Sequence, residues 1–176
     1  ESREYIESQG HMAPLFIYAL IFIFLVLAAQ YESFTDPIII LLTVPLSTLG
    51  ALLALVLTAS TLNLYTNIGI LTLVGLISKH GILIVDFANE LRREHGYSAL
   101  EAVLEAAQTR LRPILATTAA MLLSAFPLAF ASGPGAVARN HIGWTIIGGM
   151  LVGTALSLFI IPPIYTLLSR APKHIQ

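Results

Sequence analysis

GLISKHGILIVDFA, residues 75–88, places one lysine inside an apolar run. Extended back to Ile68, the run reaches the roughly 20 residues that carry a helix across a hydrocarbon core of about 30 Å. Read as a membrane-spanning helix, it sets the fold, because four more runs of that kind follow the same pattern. The five spans fall at about 13–29, 37–58, 68–88, 113–131 and 143–168. The expected fold class is all-α: a polytopic membrane helical bundle with five transmembrane helices and one cytoplasmic amphipathic surface helix.

Composition agrees. Of 176 residues, 56% are hydrophobic and 11% charged, against roughly 25% charged in a soluble domain. Mean hydropathy is +0.82. A net charge of −1 gives no basic footprint for nucleic acid, and with no cysteine there is no disulfide or thiolate metal site. The scattered histidines lack ligand spacing, and neither GxxxxGK[ST] nor a strand–helix GxGxxG is present. No metal or cofactor is expected, and if the chain drives transport it does not hydrolyse ATP itself. The first eleven residues are polar with mixed charge and do not form a signal peptide. With Glu1 in place of Met, the chain is expected to be processed or to belong to something longer. Residues 1–12 are expected to be a polar tail, 13–169 the membrane domain and 170–176 a C-terminal tail.

The connection from Asn89 to Arg112 is the long one. Arg92, Arg93 and His95 followed by Gly96 form a helix stop. Ser98 with Glu101 three residues on forms a capping box that starts a new helix. Leu100, Val103, Leu104, Ala107 and Leu111 share one face, with Glu101, Glu105 and Gln108 opposite. This predicts an amphipathic helix over about 98–111, lying along the membrane in preference to packing on a soluble segment. Arg92, Arg93, Arg110, Arg112, Arg170 and Lys173 fall on one side of the membrane, and only Arg3 and Arg139 on the other. The positive-inside rule then puts the N-terminus outside and the C-terminus in the cytoplasm. Pro45 and Pro127 should kink their helices and Pro162–Pro163 should weaken the last turns. Gly149 and Gly153, with Gly148 beside them, mark close helix packing.

Lys79 is about ten residues from either end of its span, roughly 15 Å, too far for its stem to reach water. An uncompensated lysine at that depth costs about 2.5–3.5 kcal/mol on insertion scales. Asp86, two turns on, is about 10.5 Å away along the axis, and lysine leans the other way. No other span contributes Asp or Glu; Glu32 and Asp36 read as loop residues. The counter-charge is therefore expected from a second copy or another segment. Such lysines mark ion or proton pathways; the competing reading is a structural lysine held by carbonyls and hydroxyls. His80, about 100° round the helix, reads as a satisfied packing residue before a relay. Thr117 and Thr118 read as hydroxyls bonded to their own helix. A Ser78–Lys79 dyad is poorly placed for an intramembrane enzyme, since adjacent side chains diverge.

These residues resemble a family. GLISKHGILIVDFA is similar to the tenth transmembrane helix of the resistance-nodulation-division exporters, the bacterial proton-driven multidrug pumps. EAVLEAAQTRLRPILATT (101–118) resembles the cytoplasmic helix leading into the eleventh span. LAAQYESFTDPIIILLTVPL (27–46) resembles the join of the eighth and ninth, and SREYIESQG (2–10) the end of the second periplasmic domain. The paired motifs GLxxKxxILIV and RLRPIL carry the likeness over nearly the whole chain.

The resemblance implies spans eight to twelve of a twelve-span protomer in the bacterial inner membrane, working as a homotrimer with a periplasmic adaptor and an outer-membrane channel. It implies that Lys79 pairs with two aspartates on the fourth span, in an N-terminal half outside this sequence. It raises Thr117 and Arg110 to proton-relay residues, with Asp86 weaker. His80 stands where the family often has Asn, and Asp86 where many members have Glu. The implied activity is drug:proton antiport, not enzyme catalysis. The alternative is a five-span membrane scaffold or assembly module with no transport activity of its own.

Overall fold

The computed structural model describes residues 2–169, with side chains from Ala13 onward. The expected tail 170–176, with Arg170 and Lys173, lies outside the described residues. Six α-helices and no strand make up the described residues: α1 Ser2–Tyr31, α2 Thr35–Leu41, α3 Thr43–Leu57, α4 Leu64–His95, α5 Ala99–Ala129 and α6 Ala136–Leu168. They supply five segments long and apolar enough to cross a membrane, with α2 and α3 together forming the second. The all-helical, five-span expectation holds. α1 begins inside the stretch expected to be a polar tail and runs on into the first span without a break.

The second span divides at Leu42. Pro45 has no N–H for the Leu41 carbonyl, and its ring crowds that carbonyl. The break moves Pro45 into the first turn of α3, where helix N–H groups lack intrahelical partners anyway. Thr43 Oγ1 donates to Ile40 O at 2.6 Å across the join.

α4 and α6 are central and α1 peripheral: 56% of the α4 span is buried but only 6% of the α1 span. α6 packs on α3, α4 and α5. Its glycines explain the closeness. A Cβ on Gly50 of α3 would stand 2.6 Å from the Gly148 carbonyl, and one on Gly153 would stand 2.7 Å from Ser47 Cβ. Gly149 faces Leu73 of α4 in the same way. The small-residue signal thus seats two helices on α6.

The polar connection folds largely as its punctuation dictates. α4 ends at Gly96, which is left-handed at φ 67°. Ser98 N donates to Glu101 Oε2 at 3.0 Å and Glu101 N to Ser98 Oγ at 3.3 Å. The helix expected over 98–111 is present but is not a separate element: α5 continues through Pro113 to Ala129. Residues on both sides of the proline dock on one apolar cluster, Ala102, Val103 and Ala106 before it and Ile114 after it, together with Ile84, Ala88 and Leu91 of α4. That shared support keeps α5 helical through the proline despite the missing backbone bond. The buried edge is Ala102, Val103 and Ala106, while Leu100, Leu104 and Leu111 remain exposed. α6 likewise runs through Pro162 and Pro163 to Leu168.

Candidate functional site

Lys79 lies midway along α4, 15 residues from Leu64 and 16 from His95. The inward face of α4 is sealed by Leu73, Val74, Ile77, Ile84, Val85 and Ala88. Ile68, Thr72, Gly75, Lys79 and Asp86 recur at spacings of three, four and seven on the outward face, and all are exposed. A Cβ built on Gly75 meets nothing within 4 Å, so the surface beside Lys79 is open. Among the described residues, nothing makes a hydrogen bond or ion pair with Lys79 or Asp86. Thr72 returns its hydroxyl to Ile68 O at 2.9 Å.

Two contacts fix the register of α5 against α4. The Arg110 guanidinium lies over the Phe87 ring, 4.6 Å from its centroid. Thr118 Oγ1 lies 3.5 Å from His80 Nε2. Seven residues on α4 thus match eight on α5, running antiparallel. The four sequence-singled residues fall at two levels. Lys79 and Thr117 share the middle level, Asp86 and Arg110 the level nearer Gly96. Thr117 is not hydrogen-bonded to Lys79; its hydroxyl donates to Pro113 O and Ile114 O, both at 3.0 Å. Arg110 Nε is buried and without a partner among the described residues. Ser78 is buried and donates to Val74 O at 2.7 Å, turned away from exposed Lys79, so no Ser–Lys dyad forms.

Sequence reading missed three polar links between helices. In the middle, His80 is 1% exposed and stands between Thr118 of α5 and Thr154 of α6. Its Nδ1 is 3.3 Å from Thr154 Oγ1, and the two hydroxyls are 3.3 Å apart. At the Gly96 end, Asp36 is 8% exposed and not the loop residue expected. It opens α2, where its carboxylate favours the helix N-terminus, and its Oδ2 accepts from Asn89 Nδ2 at 2.9 Å. Tyr165 donates to Asn89 Oδ1 at 2.5 Å, and Arg92 donates to Ser169 Oγ. At the other end, Asn63 caps α4 by accepting from Tyr65 N and Thr66 N, and its Nδ2 donates to His141 Nδ1 at 2.5 Å. α4 and α6 are therefore pinned at three heights. The sequence carried the cap signal at Asn63 and the lone His at 80, but not their partners.

The helices place a cation in the middle of an apolar segment and leave its face uncovered. Comparison with known proteins gives the same class of molecule. The profile of the AcrB/AcrD/AcrF family matches residues 1–169. An uncharacterized transporter of Haemophilus influenzae (strain ATCC 51907 / DSM 11121 / KW20 / Rd) is 44% identical over 98% of this chain. The chain spans 17% of that relative's length. This five-span, multi-pass membrane chain belongs to the AcrB/AcrD/AcrF family of resistance-nodulation-division transporters.

Proposed function

We propose that the chain is the C-terminal membrane part of a proton-driven multidrug efflux pump and supplies the intramembrane cation of its proton relay. One observation carries the reading: Lys79 sits on the central helix, faces away from the other helices, and borders the open space at Gly75. A lysine so placed needs a counter-charge from outside the chain, because a lone ammonium in hydrocarbon is costly. The occupant that fits is a helix of the N-terminal half carrying paired aspartates.

In the cycle, a proton neutralises one aspartate and removes its attraction for Lys79. The lysine turns to another acceptor and the helices shift. Thr117, one turn inside α5 at the lysine's level, offers a hydroxyl that can exchange its carbonyl partners for Lys79. Arg110 keeps α4 and α5 in register, and Asp86 forms the water-facing end of the same stripe. The gradient supplies about 2.3 kcal/mol per charge per 100 mV, and the shift is carried to periplasmic drug-binding domains. The setting is the bacterial inner membrane, N-terminus periplasmic and C-terminus cytoplasmic, in a homotrimer with a periplasmic adaptor and an outer-membrane channel.

The test is Lys79→Met in the intact transporter. Export is expected to disappear while membrane abundance stays normal. Normal export from that variant would remove Lys79 from the relay and leave the scaffold role in its place.

A further inference from the structure

His80 is buried back to back with Lys79, and the relay above does not use it. Its surroundings limit where hydrogens can go. A neutral imidazole has one N–H and one bare nitrogen, and each threonine has one O–H. Thr154 Oγ1 lies 3.3 Å from His80 Nδ1 and 3.3 Å from Thr118 Oγ1, and Thr118 Oγ1 lies 3.5 Å from Nε2. The two ring nitrogens point in nearly opposite directions, so hydroxyls this close together line up with one nitrogen at a time. A bare nitrogen gives that threonine an acceptor; an imidazolium has none to offer.

The charge has no compensation either. Residues 43–57 of α3, 113–129 of α5 and 143–164 of α6 contain no Asp, Glu, Lys, Arg or His. From α2, Ile40 packs near Gly81, while the Asp36 carboxylate is bonded to Asn89, nine residues further along α4 and so about 13.5 Å away. On α4 itself, Asp86 is on the exposed face, and the nearest charge is Lys79, of the wrong sign.

Neighbouring hydroxyls behave differently. Thr117, Ser78 and Ser157 each donate to a carbonyl of their own helix, the usual habit in apolar helices. Thr118 and Thr154 turn across helix boundaries instead. We propose that His80 is a neutral positioning residue: through Thr118 and Thr154 it fixes the rotation of α4 against α5 and α6, and so aims Lys79 at the open face. The proposal rests on the relay reading only in naming Lys79 as the group that is aimed.

The experiment uses the intact transporter in proteoliposomes, with export measured as a function of pH. Thr154→Val keeps the shape of the side chain and breaks two of the three contacts; Thr154→Ser keeps the hydroxyl. With α4 free to turn, Lys79 holds its partner acid less firmly and the acid's pKa rises. The pH midpoint of export is expected to move upward by up to about 1 unit in Thr154→Val, the low end of what an adjacent counter-charge contributes. Thr154→Ser is expected to restore the wild-type profile. An unmoved profile in Thr154→Val at normal abundance overturns the proposal.

If Thr154→Val does not assemble, nitrogen NMR on His80 in the wild-type protein decides. A neutral ring from about pH 5 to 8 is expected, the interval in which an ordinary histidine changes charge; an imidazolium in that interval overturns the proposal. If Lys79→Met still exports, the relay reading fails, while a neutral His80 in the nitrogen spectrum still supports its contacts with the two threonines.

Discussion

Lys79 and His80 are consecutive in sequence and face opposite surroundings: the lysine is exposed on an open stripe, and the imidazole is 1% exposed between two threonines of other helices. The roughly 100° between adjacent residues on a helix produces this division. One turn of α4 therefore carries both a group without a hydrogen bond or ion pair among the described residues and a group enclosed by hydroxyls of two other helices. A displacement that acts on Lys79 meets α5 and α6 through the next residue.

Gly75 separates the two roles of that turn. Its Cβ position is empty, so Gly75→Leu adds no clash within this chain and gains up to about 1 kcal/mol of helix propensity. We expect thermal stability of the five-span part to hold or rise. Export by the intact transporter is expected to fall sharply, because a partner helix approaching Lys79 meets the new side chain. Export at the wild-type level would mean that no helix packs at this height.

Gly148 predicts the reverse. Its carbonyl lies against Gly50, and Ala54 occupies the space a Cβ needs. Gly148→Leu forces α3 and α6 apart, at an overpacking cost of about 1–3 kcal/mol or more. Loss of folded protein is expected, measured as a lower melting temperature of the solubilised transporter. An unchanged melt would show that the α3–α6 seam yields freely.

The same contrast shows what sequence pattern can carry. Spans, the stop at Gly96, the capping box at Ser98 and the absence of an acid beside Lys79 among the described residues are all local or compositional, and they were legible. The three polar links were not, because each joins residues far apart in the chain: His80 with Thr154, Asn89 with Tyr165, Asn63 with His141. A lone polar residue in an apolar run signals that a partner exists without saying which one. Proline signals carried less far. Residues on both sides of Pro113 dock on one apolar cluster and α5 stays helical through it, and α6 runs on through Pro162 and Pro163. At Pro45 the span does divide, and the buried residues on the two sides join different clusters, Ile39 and Ile40 one and Val44 and Ala51 the other.

Tyr165 tests the link at the Gly96 end. Its hydroxyl is the donor to Asn89 Oδ1, and Asn89 in turn donates to buried Asp36. Tyr165→Phe keeps the ring in the core and leaves the half-buried Asn89 carbonyl without its donor, a cost of about 1 kcal/mol. Reduced stability is expected, with faster amide exchange at the ends of α4 and α6 nearest Gly96. Exchange rates equal to wild type would show that the Asn89 carbonyl finds another donor.

Arg110 tests whether register between α4 and α5 matters more than charge. Its flat guanidinium lies over Phe87 at 4.6 Å, a contact worth about 0.5–2 kcal/mol. Arg110→Lys preserves the charge and loses the planar stacking and the fork of donors. If Arg110 serves only as a positive charge, the lysine variant exports normally. If it sets the height of Thr117 against Lys79, export falls in Arg110→Lys and also in Phe87→Leu, which leaves every charge in place. We expect the second result, because the Arg110–Phe87 contact and the Thr118–His80 contact are the two that set the α4–α5 register. A loss confined to Arg110→Lys, with Phe87→Leu fully active, would give Arg110 a direct role in proton transfer and take the register argument away.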